Sequence, residues 1–458
     1  MILLGLFGGI FTVFAAGFGV ALSIFAQRGR VNLVECTCLA WLFGSGIVSL
    51  LLWLCGTFCS GLTLQVVVTM ACLALAILGW RVKLRSRARF IVPIPASSIE
   101  WLLSSIVVAE AAILLFVSFK HTLGWDGLLN WEIKARYAFF NNGAIPASYY
   151  SSAGRAFTHP EYPLGIPFTE LWLYLWMGEP HQFWVKVIFP IFYAVGAPLL
   201  ALLTARLSGQ RWAGLLVASF LPLVPSVSAS PGGIVVGYVD VPLSVFYLAA
   251  LGYLFCWFQD SDLRSIVPFA ACAALLPWIK SEGVILWLVL VLLGLVFSLF
   301  KHRTLQLLIS SVPGLVIILG WRLYLRFLHI WPHSDFSHPS LSLLRHNLSR
   351  VPDIVSILFT ELIEPVHWSF FWLLAAVALI YLFASRKLEK VFLATAVLLP
   401  IVLYSLTYLF STWPSYIAHM TSSVSRLLLH VMPAGWLAIG LALSSPRTQT
   451  EKVESKLG

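Results

Sequence analysis

Residues 284–300, VILWLVLVLLGLVFSLF, carry no charged side chain; Lys301-His302-Arg303 follows, and residues 304–327, TLQLLISSVPGLVIILGWRLYLRF, resume the apolar run. A helix of about 20 apolar residues crosses the roughly 30 Å hydrocarbon core of a bilayer, and within lipid a single helix satisfies its own backbone hydrogen bonds. Two such runs joined by a short basic turn read as a membrane hairpin with its turn on the cytoplasmic side. The rest of the chain repeats the pattern. Of its 458 residues, 60% are hydrophobic and 10% charged, and a mean hydropathy of +0.91 excludes a soluble globular protein.

Working outward, further spans are predicted near 2–26, 32–54, 62–80, 98–119, 183–205, 212–230, 243–258, 265–280, 367–384, 391–411 and 426–444, about thirteen in all. The basic clusters Arg28/Arg30, Arg81 to Arg89, Arg206/Arg211, Lys301/Arg303 and Arg386/Lys387/Lys390 share one face if the N-terminus is outside. The net charge of +10 therefore marks an inner face and not a nucleic-acid surface. This topology places the tail from Ser445 in the cytoplasm and segments 120–182, 328–366 and 412–425 outside, with short outward turns near 231–242 and 280–283. The first 26 residues lack a basic leader and read as a retained span, or else as an uncleaved signal anchor. Five of the seven cysteines lie in apolar runs, which argues against a disulfide framework. No internal repeat or low-complexity tract interrupts the series. The expected fold is an all-α polytopic membrane protein: accessory helices in 1–97, a core in 98–285 and a C-terminal helical region in 286–458.

Two pieces of the first outward segment are not spans. Over Trp125 to Asn141, Leu128, Leu129, Ile133, Tyr137 and Phe140 recur at helical spacing, predicting an amphipathic helix along the membrane surface with Glu132 on its solvated side. Pro163 to Met177 is apolar but short and holds Pro163, Pro167 and Glu170, so it reads as an interfacial or re-entrant helix.

Charged residues at the outer face are few enough to weigh singly. Asp126, in Gly124-Trp125-Asp126-Gly127, either caps the surface helix or is a reactive carboxylate. In Thr158-His159-Pro160-Glu161-Tyr162-Pro163-Leu164 the two prolines hold an extended backbone, so His159 and Glu161 can face one way and bind a metal, a phosphate or each other; a rigid turn is the plainer alternative. Asp240, before Val241-Pro242, either caps the next span or faces the bundle interior, where an ionisable group is functional by default. Lys280, Arg322, Arg326 and Arg426 are basic residues against the positive-inside trend, which points to an anionic partner such as phosphate unless they snorkel to headgroups.

Through these residues the chain resembles the membrane glycosyltransferases of the GT-C fold, the class of the protein O-mannosyltransferases and the bacterial aminoarabinose transferases. The resemblance covers roughly 100–285. It implies a GT-C-like core in which Asp126 is the catalytic carboxylate of the first outward loop, and Asp240 in Tyr238-Val239-Asp240-Val241-Pro242 is the second acidic position. His159 to Leu164 matches the family's His-Pro-x-x-Pro-Leu-like stretch, with Glu161 or His159 helping to hold a divalent metal or the donor phosphate. Lys280-Ser281-Glu282-Gly283 matches a Lys-x-Glu-Gly segment. Two departures stand out: three apparent spans precede the core, and Trp125 is followed by one acid instead of a pair.

The implied reaction is transfer of a hexose or pentose from a polyprenyl-phosphate donor to a glycan, lipid or protein acceptor, on the periplasmic, extracellular or lumenal side of a membrane, most simply the bacterial inner membrane. Asp126 would be the general base, and Asp240 would orient the acceptor or assist the metal. Lys280, Arg322, Arg326, Arg426 and His159 would meet the phosphate, and Trp125, Trp131, Lys134, Tyr162 and Glu282 the substrate, with Tyr149 and Tyr150 as further stacking candidates. Partners are then the lipid-linked sugar and membrane lipids, without nucleic acid. The competing reading is a transporter or lipid flippase using Glu110 within the fourth span. A non-catalytic assembly factor or another polyprenyl-linked enzyme would share the architecture.

Overall fold

Most long apolar runs fold as single helices and stop where their chemistry changes: at basic clusters on one face, at Gly, Pro or capping residues on the other. The computed structural model describes residues 1–229, 232–260, 262–330 and 335–444; the tail from Ser445, expected in the cytoplasm, lies outside them. Helices of eight residues or more are α1 (Ile2–Phe25), α2 (Leu33–Cys55), α3 (Gly61–Arg85), α4 (Ser98–Ser118), α5 (Ile133–Phe140), α6 (Gly165–Met177), α7 (Ile188–Ser208), α8 (Arg211–Ser219), α9 (Asp240–Asp260), α10 (Leu263–Ile279), α11 (Gly283–Phe300), α12 (Thr304–Phe327), α13 (Val351–Leu362), α14 (Phe371–Ala384), α15 (Leu388–Thr407), α16 (Tyr416–Leu429) and α17 (Met432–Leu443). The protein is an all-α polytopic membrane protein. Among the described residues nine helices are long and apolar enough to cross a bilayer, or ten if the bent pair α16 and α17 is one span.

Three of the expected spans are shorter than that. The run near 212–230 breaks after Ser219, because Pro222 and Pro225 each begin a separate single turn. Helix α10 is limited to 17 residues, and α14 starts only at Phe371, after Ser369 turns to φ +49°. The last span begins ten residues earlier than expected, with α16 covering most of the supposed loop 412–425. It bends by 47° into α17. Pro433 lies in the first turn of α17, where its missing N–H and ring prevent a continuous helix.

The turns sort onto two faces. On one, β1 (Arg30–Asn32) pairs in parallel with β2 (Arg89–Ile91), Arg28 bridges Asp262 at 3.0 Å and Arg211 donates to the Ile94 carbonyl. On the other, Gly61 N–H donates to Asn142 O at 2.7 Å, Gly124 N–H to Val236 O at 2.8 Å, and Ser226 Oγ to His367 O at 2.9 Å. Helix α9 is the central post, buried along its spanning length against α7, α10, α11, α15, α16 and α17.

Helices α1 and α2 are built into this core. A Cβ on Gly17 would lie 1.9 Å from the Ala40 carbonyl oxygen of α2, and one on Gly19 would lie 2.2 Å from Leu75 O of α3. Gly5, Gly8 and Gly9 similarly admit Trp176 and Leu173 of α6, and Trp172 Nε1 donates to Gly9 O and Thr12 Oγ1. Small residues that let backbones touch are the usual adhesive where lipid offers no hydrophobic drive. Helix α6 is therefore buried against α1 and α2 instead of lying on the surface. Gly17→Ala should cost about 1–3 kcal/mol by overpacking, read as a lower melting temperature in detergent. Gly320→Ala, whose Cβ would meet only Trp53 at 3.7 Å, should leave the melting temperature unchanged.

Candidate functional site

The Gly124-Trp125-Asp126-Gly127 segment is strapped to the turn before α9. A Cβ on Gly124 would sit 2.7 Å from the Tyr238 ring, and one on Gly127 2.7 Å from Val236 O. Only glycines allow this approach, and it carries Asp126 toward Asp240. The side chain of Asp126 caps no helix. It meets Arg426 of α16, whose Nη1 lies 2.5 Å from Asp126 Oδ2 and whose Nε donates to Asp240 Oδ2 at 3.0 Å. One guanidinium thus bridges the two carboxylates singled out in the sequence, with the Tyr238 ring 4.8 Å beneath its carbon.

Asp240 is 0% exposed and fully engaged: Oδ1 accepts from Lys280 Nζ at 2.7 Å and lies 2.8 Å from His430 Nε2. Lys280 also bridges Glu282 at 2.9 Å, and His430 Nδ1 lies 3.3 Å from Tyr404 Oη. Burial works against the Glu282 charge, but Lys280 and His430 beside it hold its carboxyl below the ordinary range. Asp240, expected to orient an acceptor, has no free oxygen for one. It anchors Arg426, Lys280 and His430, and it is not accessible. His430 escaped the sequence reading, although an ionisable residue in Leu427-Leu428-Leu429-His430-Val431-Met432-Pro433, just before a helix-breaking proline, was the available signal.

His159 and Glu161 are brought together, 3.3 Å apart, with His159 at φ +46° and stacked on Tyr162 at 4.7 Å. Burial opposes a charge on His159, yet its hydrogen bond to Glu161 and the charges of Glu161 and Asp335 raise its pKa. The Tyr162 phenol is pushed well up by burial, and next by Glu282, Glu161 and Asp335; a Cβ on Gly165 would lie 2.6 Å from Trp278 O, which sets this stretch against the end of α10 before Lys280. Trp321 Nε1 fixes the Glu161 carbonyl at 2.9 Å. As metal ligands the pair lacks a third member: among the described residues no three His, Cys, Asp or Glu side chains cluster as ligands, and the oxygens of Asp240 are spent on cations. The donor set does not fit a divalent ion.

The surface helix is turned over. Residues Gly127–Glu132 form a π-helical turn before α5, and its wider winding shifts the side chains that follow. Trp131, Glu132, Lys134, Ala135 and Ala138 are buried, while Phe140 is 69% exposed and Trp125 66%. Glu132, expected in solvent, is 1% exposed and accepts from Arg136, from Tyr174 Oη at 2.7 Å and from Gln182. Trp131 and Lys134, expected at the substrate, face inward; Trp125 is exposed, and Tyr162 and Glu282 are half-buried. Tyr149 and Tyr150 are buried too. Arg322 and Arg326 lie exposed on α12, outside the network around Asp240 and without a side-chain partner among the described residues.

Lys134 Nζ donates to Asn130 O at 2.5 Å and Thr158 O at 2.9 Å between the rings of Trp131 and Tyr162, fixing the segment before His159. Burial lowers its pKa to about 7, against the opposing charges of Glu161, Asp126 and Glu170. An unfolded lysine keeps its proton to about pH 10.4, so between these values the unfolded chain binds more protons and stability rises with pH. Relative to Lys134→Met, the wild type should gain melting temperature from about pH 7 to about pH 9; a constant difference would mean that Lys134 stays charged throughout.

Asp126, Arg426, Asp240, Lys280, Glu282 and His430 thus form one connected polar network at the ends of α9, α10, α11 and α16, bordered by Tyr162, on the face of the Gly61–Asn142 and Gly124–Val236 contacts. No protein-family model, curated protein or solved structure matches the chain.

Proposed function

We propose that the protein is an inverting membrane glycosyltransferase of GT-C type, moving a sugar from a polyprenyl-phosphate donor to an acceptor on the face that carries Asp126. The observation that carries this reading is the Arg426 bridge between Asp126 and Asp240. It puts a partly exposed carboxylate and a phosphate-binding guanidinium at the edge of a bilayer, where a lipid-linked substrate arrives. The basic clusters on the opposite face favour a non-cytosolic side for it, periplasmic if the membrane is a bacterial inner membrane.

In this mechanism the donor phosphate takes the Arg426 Nη edge from Asp126, with Lys280 held behind it by Asp240. The released Asp126 carboxylate accepts the proton of an acceptor hydroxyl as its oxygen attacks the anomeric carbon. The bond from that carbon to the phosphate oxygen breaks, its electron pair leaves with the polyprenyl phosphate, and the anomeric configuration inverts. Arg426 neutralises charge growing on the leaving oxygen. Asp240 acts as a positioning residue. Trp125 is available to stack on a sugar. The test incubates purified protein with a panel of polyprenyl-phosphate sugars and follows consumption of each, with Asp126→Asn as control; if the wild type consumes none, the proposal fails.

One observation favours a second reading, transport. Glu110 of α4 accepts from Tyr193 Oη at 3.3 Å, beside an apolar groove of about 120 Å³ lined by Val107, Ala111, Tyr193 and Pro198. Loss of proton-coupled uptake in Glu110→Gln, with Asp126→Asn unaffected, would select it.

A further inference from the structure

The outer segments around 335–337 and 410–412 run antiparallel: Phe336 bridges Ser411, Ser337 N–H donates to Phe410 O at 2.7 Å, and Thr412 N–H donates to Asp335 O at 2.9 Å. The pairing sets Trp413 flat on His419, with centroids 4.6 Å apart and planes 9° apart. His419 is fixed from beneath by Ser411 Oγ at 2.8 Å and by the rings of Phe336 and Tyr408. Trp413 Nε1 donates to Asp335 Oδ1 at 2.9 Å, which stops the indole from turning. With one face covered, Trp413 is still 41% exposed, so an immobilised aromatic face stands open beside a carboxylate.

This platform is tied to the helix that carries Arg426: Tyr408, which packs on His419, has its Oη 2.6 Å from Ser423 Oγ of α16. A tryptophan that merely anchors a protein in the bilayer leaves its N–H for headgroups and water. Here the N–H is used internally, the partner is an acid that repels anionic headgroups, and the neighbours Ser411, Thr412 and Ser415 are polar.

We infer that Trp413 and Asp335 form a saccharide subsite: a pyranose lays its C–H face on the open indole, and Asp335 accepts hydrogen bonds from its hydroxyls. The acceptor of the proposed transfer would occupy it, and in that role the inference rests on the glycosyltransferase reading; sugar binding itself does not. The test is an array of immobilised pyranose oligosaccharides probed with the detergent-solubilised full chain. The wild type should be retained on at least one glycan, Trp413→Ala should weaken that retention about tenfold or more, and Trp413→Phe should restore most of it. Asp335→Asn, close in size, should weaken it separately, and unchanged melting temperatures would show that each variant is folded. No retention of the wild type, or undiminished retention of Trp413→Ala, overturns the subsite. If Trp413-dependent retention holds while no polyprenyl-phosphate sugar is consumed, the transfer reading falls and the subsite stands.

Discussion

Asp240→Ala is expected to destabilise the protein by about 3–5 kcal/mol, the range for removing one partner of a buried charge network. The carboxylate is fully buried and contacts Lys280, Arg426 and His430; without it Lys280 and Arg426 lose the anion that lies between them. The loss should appear as a fall in detergent melting temperature well beyond that of Gly17→Ala. Adding Lys280→Met should not recover it, because Lys280 keeps its pair with Glu282 and its removal would leave that carboxylate without its ion-pair partner. An Asp240→Ala protein that melts with the wild type would mean that the network does not hold α9, α10 and α16 together.

Asp126→Asn should behave in the opposite manner, leaving stability nearly intact and lowering turnover about 10²–10⁴-fold, the usual contribution of a general base. Asp126 and Arg426 both touch solvent, at 15% and 17% side-chain exposure, and Arg426 keeps its pair with Asp240 when Asp126 loses its charge. Asparagine keeps the shape and loses the proton acceptor. Because the amide competes less well for Arg426, the donor KM should stay level or fall while kcat collapses. Activity within a few-fold of wild type would remove Asp126 from the chemistry, and a large rise in KM at constant kcat would make it a binding residue.

The helical architecture was legible because the bilayer demands long apolar runs, and most boundaries hold to a few residues. Where helices are interrupted, hydropathy fails: it averages over Pro222, Pro225 and Pro433, whose effects are local and steric. The approach of Asp126 to Asp240 was suggested by their place at outward ends, but Arg426 as the bridge came from α16, part of which had read as loop. His430 was hidden inside an apolar run. The inward face of residues 127–138 was misread because a π turn changes the period on which face assignment depends. Arg322 and Arg326 share a helix face by spacing, and spacing alone does not say which way that face looks.

The glycine notches of α1 impose an order on biosynthesis. Gly9 waits for Trp172, synthesised 163 positions later, so the earliest helix of this sequence enters the membrane with one side unoccupied. The ribosome must deliver five further helices' worth of chain before the gap is filled. Nascent chains halted before residue 172 should therefore keep α1 within reach of insertase or chaperone crosslinkers, and release it only once α6 has emerged.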